Sequence, residues 1–274
     1  MRLWMNEPLR AHTTFQIGGP AEELAAPESE EELLALLARA PALVLGAGSN
    51  LLVRDAGVAG LTVLLGKDFA RIEIEGETIF AQAGARLSHL AQQAMRAGLA
   101  GLEFAAGIPG SVGGAVYMNA GAYGGEMKDV LESVRCLTPE GGERVLGAAE
   151  LELSYRHSWF TGRPGHLITG AAFRLQKGDP AAIRAKMDDL MERRKQKQPL
   201  EYPSGGSTFK RPAGSYASAL IDRCGLKGRR VGGAMVSEKH AGFVINYDNA
   251  TCRDVLALVE LVQKEVLEKT GYTL

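Results

Sequence analysis

The chain has 274 residues, 46% of them hydrophobic, enough to bury a full core; at roughly 100–200 residues per domain this points to about two domains. Its 31 Lys and Arg balance 32 Asp and Glu, so no global field draws it to nucleic acid or to a membrane, and any anion it binds must be held locally. Cys136, Cys224 and Cys252 lie far apart without CxxC spacing, which argues against a disulfide framework or a zinc site and fits a reducing cytoplasm. No apolar run reaches the roughly 18 residues of a membrane span and the start lacks a leader-like stretch, so the chain is expected to be neither exported nor anchored.

In chain order, PESEEELLALLARAP (27–41) predicts a helix behind a Ser29/Glu32 capping box, and ALVLGAGSN (42–50) predicts a buried strand running into a glycine turn. LTVLLG (61–66) is a strand, and the pair ARIEI and TIFAQAG form a hairpin around Glu75-Gly76-Glu77. RLSHLAQQAMRA (86–97) predicts a helix closed by Gly98. Residues 101–125 are dense in glycine and nearly uncharged, a composition whose entropic cost demands a reason. A hairpin turning at Glu140-Gly141-Gly142 and a strand at LITGAAFRLQ (167–176) follow. Asp179 as cap, Pro180 at the first helical position and a basic last turn predict a linker helix that Pro199 stops. The remainder has a short helix at YASALIDRCG, a strand near GFVIN and a closing helix (251–271) capped by Gly271. The expected division is 1–177, in two lobes of about 1–66 and 67–177, a linker helix at 178–200, and a smaller domain at 201–274.

In LGAGSN, Gly46 and Gly48 leave bare backbone after a strand, where successive N–H groups can converge on phosphate oxygens, with Ser49 and Asn50 as added donors. It is neither a Walker A loop nor a full Rossmann fingerprint, so alone it is a weak signal. AGIPGSVGG repeats the chemistry with Gly107, Gly110, Ser111, Gly113 and Gly114, and its Ile108, Pro109 and Val112 offer an apolar wall for a flat ring. Two such loops suit a long diphosphate ligand such as FAD. The five histidines show no HxH or HExxH spacing, so no metal site is expected. In YPSGGSTFKRP (202–212), Ser207 has no histidine or acid nearby: a nucleophile would lack its base, whereas a proton donor to a strongly basic carbanion needs only position.

TTFQIGGPA, LGAGSNLLVRD, GIPGSVGGAVYMNAGAYG, SYRHSWF, PSGGSTFKRPAG and VGGAMVSEKHAGFVIN occur in the order seen in the UDP-N-acetylenolpyruvoylglucosamine reductase family, which the chain resembles over nearly its whole length. The resemblance, to the shorter (type II) form, implies an α+β fold: an FAD-binding domain of the vanillyl-alcohol-oxidase (PCMH) type, then a smaller α+β substrate-binding domain. It implies a flavoenzyme using NADPH to reduce UDP-N-acetylglucosamine enolpyruvate. Gly46, Ala47, Gly48, Ser49, Asn50, Leu51, Gly107, Ile108, Pro109, Gly110, Ser111, Gly113, Gly114, Asn119 and Gly121 would hold the flavin. Arg156 would steady the substrate carboxylate as charge develops, and Ser207 would give the proton, with Lys210 easing its alkoxide. Tyr155, Lys210, Arg211 and His240 would contact substrate; other members carry asparagine at the position of Arg211. The family's C-terminal catalytic glutamate falls just past Leu274. Two other functions remain open on the residues alone: another FAD oxidoreductase of this fold acting on a sugar or lactone, and a non-catalytic nucleotide-sugar-binding homologue.

Overall fold

A computed structural model describes residues 1–274. Strands β1 (Arg2–Pro8), β2 (Pro20–Ala26), β3 (Leu43–Leu45) and β4 (Val58–Leu64) form a sheet in the order β1-β2-β4-β3, with helix α1 (Glu30–Leu37) between β2 and β3 in sequence. The expected cap is present: the Ser29 hydroxyl accepts the Glu32 N–H at 3.2 Å. Strand β3 runs parallel to β4 and stops after three residues, at the glycine turn.

A second, fully antiparallel sheet has the order β11-β10-β12-β6-β5, from β5 (Ile72–Glu75), β6 (Thr78–Gln82), β10 (Leu131–Leu137), β11 (Glu143–Gly147) and β12 (Leu167–Arg174). Glu75 pairs with Thr78, so the β5–β6 hairpin turns on two residues, and Gly76 takes the left-handed φ of 59° such a turn needs. Helix α2 (Leu87–Arg96) buries Leu87, Leu90, Ala91, Ala94 and Met95, one helical face, and Gly98 ends it at φ 68°. Helix α3 (Val112–Tyr117) packs on β12 and β6. Two short ribbons complete this part, β7 (Leu99–Ala100) with β13 (Gln176–Lys177) and β8 (Gly121–Ala122) with β9 (Gly125–Glu126). Each fully buried Leu or Phe of this core, such as Leu90 and Phe173, contributes about 1.5–3 kcal/mol.

Helix α4 (Pro180–Lys197) starts where expected, with both Asp179 carboxylate oxygens accepting N–H groups, of Ala181 and Ala182, at 3.2 Å. Strands β14 (Ser204–Ser207), β15 (Arg230–Val231), β16 (Ala234–Val236) and β17 (Phe243–Asn246) form an antiparallel sheet in the order β14-β17-β16-β15. Helix α5 (Ala217–Arg223) packs on α6 (Cys252–Thr270), which covers β15 and β16. Thr251 and Asp254 cap α6 reciprocally, and Gly271 closes it at φ 74°. No helix is long and apolar enough to cross a membrane.

By packing, the chain divides into two compact units: residues 1–5, 23–47 and 60–194, and residues 6–22, 48–59 and 195–274. Segments 6–22 and 48–59 therefore go with the C-terminal part, whereas a contiguous division keeps them with the first 177 residues. The cause is long-range. The Asp55 carboxylate accepts the first N–H groups of α6, from Cys252 at 2.7 Å and Arg253 at 3.0 Å. Thr14 and Ser204 exchange hydrogen bonds, and Phe15 and Ile17 belong to the same core as Leu220, Val244 and Leu258.

Candidate active site

In the first unit the two glycine loops abut. A Cβ on Gly46 would lie 2.2 Å from the Ser111 hydroxyl, so a side chain there would force that hydroxyl to move. Ser111 leads into α3, whose first N–H groups are taken by the turn that follows β6: Val112 donates to the Ala85 carbonyl at 2.9 Å and Gly113 to that of Ala83 at 2.8 Å. A Cβ on Gly113 would sit 3.0 Å from that of Ala83, so the glycine lets the helix close up on that turn. Gly114 is exposed, and nothing but the Ser111 hydroxyl, at 3.7 Å, is near its Cα face. Bare backbone at Gly46 and Gly114 flanking one hydroxyl fits the close approach of an extended diphosphate ligand such as FAD. Ile108 packs against the core, while Pro109 is exposed. Gly121 has a packing reason of its own, since a Cβ there would meet Glu126 at 2.7 Å.

Arg156 is in the same unit, at the corner of a tight turn in which Ser154 and His157 exchange backbone hydrogen bonds of 3.2 and 3.1 Å. Its φ is 54°, left-handed backbone that a non-glycine residue adopts at a cost of order 1–3 kcal/mol, and such outliers gather at functional sites. Asn119, Tyr123 and Glu152 share that region with it. The guanidinium carbon lies 5.3 Å from the centre of the Tyr155 ring, and Nη1 makes a long hydrogen bond, 3.5 Å, to the Asn119 carbonyl. The Asn119 carboxamide is fully buried and fully used by the protein: it donates to Glu126 at 2.8 Å and to the Ser154 carbonyl at 3.0 Å, and accepts from the Lys128 N–H at 3.0 Å. The Asn119 amide is therefore committed to bonds within the protein.

In the second unit, Ser49 and Leu51 are half-buried and Asn50 is exposed, while Gly48, at φ 62°, is glycine for a backbone reason: a Cβ would strike the His12 carbonyl oxygen at 2.0 Å. Ser207 ends edge strand β14, opposite Phe243, after an irregularity at Gly205-Gly206 where Gly206 has φ 84°. It is exposed. The next residue ties this strand to the His240 turn, because the Thr208 N–H donates to the Gly242 carbonyl at 2.9 Å. His240 accepts the Gly242 N–H on Nδ1 at 3.1 Å and packs edge-on against Phe243 at 4.9 Å. Burial lowers its pKa from 6.5, so the ring is neutral and Nε2–H is its free donor. Lys210 is exposed, and the Arg211 guanidinium stacks 4.5 Å from the centre of Tyr216.

One residue the sequence concealed is Arg194. In ERRKQK it reads as an ordinary basic last turn, yet its stem packs under the second glycine loop: a Cβ on Gly107 would meet Arg194 Cδ at 3.1 Å. Burial pulls its pKa down, against the opposing effect of the Tyr123 phenol, and no carboxylate lies within ion-pairing distance.

Residues 21–147 match the family profile described as "FAD binding domain", and residues 198–274 match that of "UDP-N-acetylenolpyruvoylglucosamine reductase, C-terminal domain". The chain is 49% identical over 278 aligned residues to the UDP-N-acetylenolpyruvoylglucosamine reductase of Syntrophomonas wolfei, covering 100% of this chain and 93% of the relative. It is 51% identical to the enzyme of that name from Lachnoclostridium phytofermentans, covering 100% and 91%. The crystal structure of the Thermus caldophilus reductase superposes with a TM-score of 0.87 at 41% identity, covering 99% of this chain and 97% of that one. A cholesterol oxidase shares the fold alone, at a TM-score of 0.50 and 16% identity over 64% of this chain and 38% of its own. The chain therefore belongs to the UDP-N-acetylenolpyruvoylglucosamine reductase family.

Proposed function

We propose that this chain catalyses the FAD-dependent, NADPH-driven reduction of UDP-N-acetylglucosamine enolpyruvate to UDP-N-acetylmuramate, a step of peptidoglycan precursor synthesis in the cytoplasm. Residues 1–177 serve as the flavin domain, 178–200 as a linker and 201–274 as the substrate domain. When bound, FAD would supply the two-electron chemistry that links oxidation of NADPH to reduction of the substrate's vinyl group.

Gly46–Leu51 and Gly107–Gly114 would hold the cofactor, their bare backbone suited to its diphosphate and Ile108 and Pro109 offering apolar surface to its ring. Hydride attack on a double bond conjugated to a carboxylate adds charge to an existing anion, so the intermediate resembles an enolate dianion. Arg156 grips both carboxylate oxygens as that charge develops, and because its turn is fixed in advance it need not reorganise when the charge appears. Ser207 then donates its proton to the carbon alpha to the carboxylate, and Lys210 stabilises the serine alkoxide until solvent returns the proton. Tyr155, Arg211 and the Nε2–H of neutral His240 orient the nucleotide sugar. Arg194, a desolvated cation without a carboxylate partner, places positive charge beneath the second glycine loop.

The observation that carries this reading is Arg156 in left-handed backbone beside Asn119: its Nη1 donates to the Asn119 carbonyl at 3.5 Å, and the Asn119 carboxamide donates to the Ser154 carbonyl of the same turn at 3.0 Å. The test is a two-step anaerobic experiment. NADPH should bleach the bound flavin, and the enolpyruvyl nucleotide sugar, added next, should restore its colour in one turnover. Bleaching without reoxidation would leave a nucleotide-sugar-binding homologue as the better reading.

A further inference from the structure

We propose that Ser158 is a positioning residue for Arg156, acting through the end of α3; this rests on the reading of Arg156 as the group that steadies charge on the substrate carboxylate. Ser158 is fully buried, and its hydroxyl donates to the Tyr117 carbonyl at 2.7 Å. Tyr117 is the last residue of α3, where carbonyl groups lack intrahelical partners. The helix that begins at Ser111, in the second glycine loop, is thus capped at its far end from two residues beyond Arg156. Thr161 fixes the geometry from the other side, its hydroxyl accepting the Ser158 N–H at 3.2 Å while its own N–H donates to the Ser158 carbonyl at 2.9 Å.

The turn is pinned at its opposite end as well, where the Asn119 carboxamide donates to the Ser154 carbonyl at 3.0 Å. Arg156 stands between these two fixed points at φ 54°. A strained conformation persists only where its surroundings over-determine it, and here hydrogen bonds from two buried side chains, one per end, add to the backbone pair that closes the turn. Without the Ser158 bond, the Tyr117 carbonyl loses its buried donor and the turn loses the anchor at one end, so that its left-handed corner can shift. The guanidinium would then be carried away from its set position. Misplacement of this kind costs rate, not binding of the cofactor.

The test uses the flavin-loaded enzyme and follows two steps separately: bleaching by NADPH, and reoxidation by the enolpyruvyl nucleotide sugar. Ser158→Ala should slow reoxidation about 10- to 100-fold and leave bleaching within about twofold of the parent. Ser158→Cys, which keeps a buried side chain with a weaker donor, should fall between the two and provides the measurement if the alanine variant does not fold. Melting temperature and flavin content establish the fold of each variant. The decisive readout is a double-mutant cycle: in an Arg156→Ala background, Ser158→Ala should add no more than about a twofold loss, because the residue through which it acts is gone. Equal slowing in both backgrounds, or parental reoxidation by Ser158→Ala, overturns the proposal while leaving the role of Arg156 standing. Arg156→Ala that reoxidises at the parental rate overturns both.

Discussion

The two residues proposed to carry the chemistry are held in opposite ways. Arg156, in the first unit, is half-buried and its backbone is forced left-handed. Hydrogen bonds from Asn119 and Ser158 brace both ends of its turn. Ser207, in the second unit, is exposed at the end of an edge strand, next to a pair of glycines. The contrast follows from what each task needs. A group that stabilises charge is worth most when it is already in place and desolvated, because reorganisation during the reaction subtracts from its effect. A hydroxyl that gives up a proton to a strong carbon base has no use for a competing acceptor, which would only hold the proton back.

The largest effect expected from breaking this comparison is at the serine. Ser207→Ala should lower turnover about 100- to 10,000-fold, with bleaching by NADPH intact, because only the late proton transfer is touched. Equal loss in both half-reactions, measured by rapid mixing, would contradict the assignment. The arginine should come next. Arg156→Lys keeps the charge but loses the planar fork, and removal of one such preorganised donor costs about 2.7–4 kcal/mol, or about 100- to 1,000-fold in the reoxidation step. A lysine variant with parental reoxidation would mean that charge alone suffices and that the braced turn has another purpose.

Much of this architecture is legible in the sequence because its signals are local. Ser29 before a leucine-patterned helix, Asp179-Pro180 before α4, Gly98 and Gly271 after α2 and α6, and the Glu75-Gly76-Glu77 hairpin each specify their own neighbourhood, and each is found in place. What escaped has no local signature. Strand β1, RLWMNEP, has no residue buried, so it lacks the alternation that marks a half-buried strand. Strand β14, SGGS, reads as a turn and becomes a strand only because β17 pairs with it. Asp55 caps a helix almost two hundred residues away, which is why 48–59 packs with the C-terminal part. Within the site, the glycine loops and SYRHS stand out, but the bond from Ser158 to the end of α3 and the burial of Arg194 exist only once the chain is folded.

A smaller effect probes the glycine cradle. Gly46→Ala would place a methyl group 2.2 Å from the Ser111 hydroxyl, so that hydroxyl must turn away or the two loops must separate. Overpacking of this kind costs about 1–3 kcal/mol, and if the gap between the loops is where the flavin diphosphate lies, FAD affinity should fall about 5- to 100-fold. Titration of the flavin-free protein by fluorescence quenching measures this directly. The same change at Gly76, where nothing lies within 4 Å of the added carbon, should leave FAD affinity unchanged and lower stability only through its left-handed φ of 59°.

The smallest effect concerns pH and bears on the second unit. Burial holds the folded-state pKa of His240 below its ordinary 6.5, so the unfolded chain takes up a proton that the folded chain refuses. Stability should therefore be fully present above pH 6.5 and should decline as the pH falls from 6.5 toward the depressed folded value, with a slope of at most about 1.4 kcal/mol per pH unit. Below the folded value the ring charges and its Nδ1 can no longer accept the Gly242 N–H, which loosens the turn whose carbonyl receives the Thr208 N–H next to Ser207. His240→Gln should flatten the slope in urea unfolding followed across this window. A slope unchanged by the substitution would assign it to other groups, and the neutral ring would then have no measurable part in holding the strand that presents the serine.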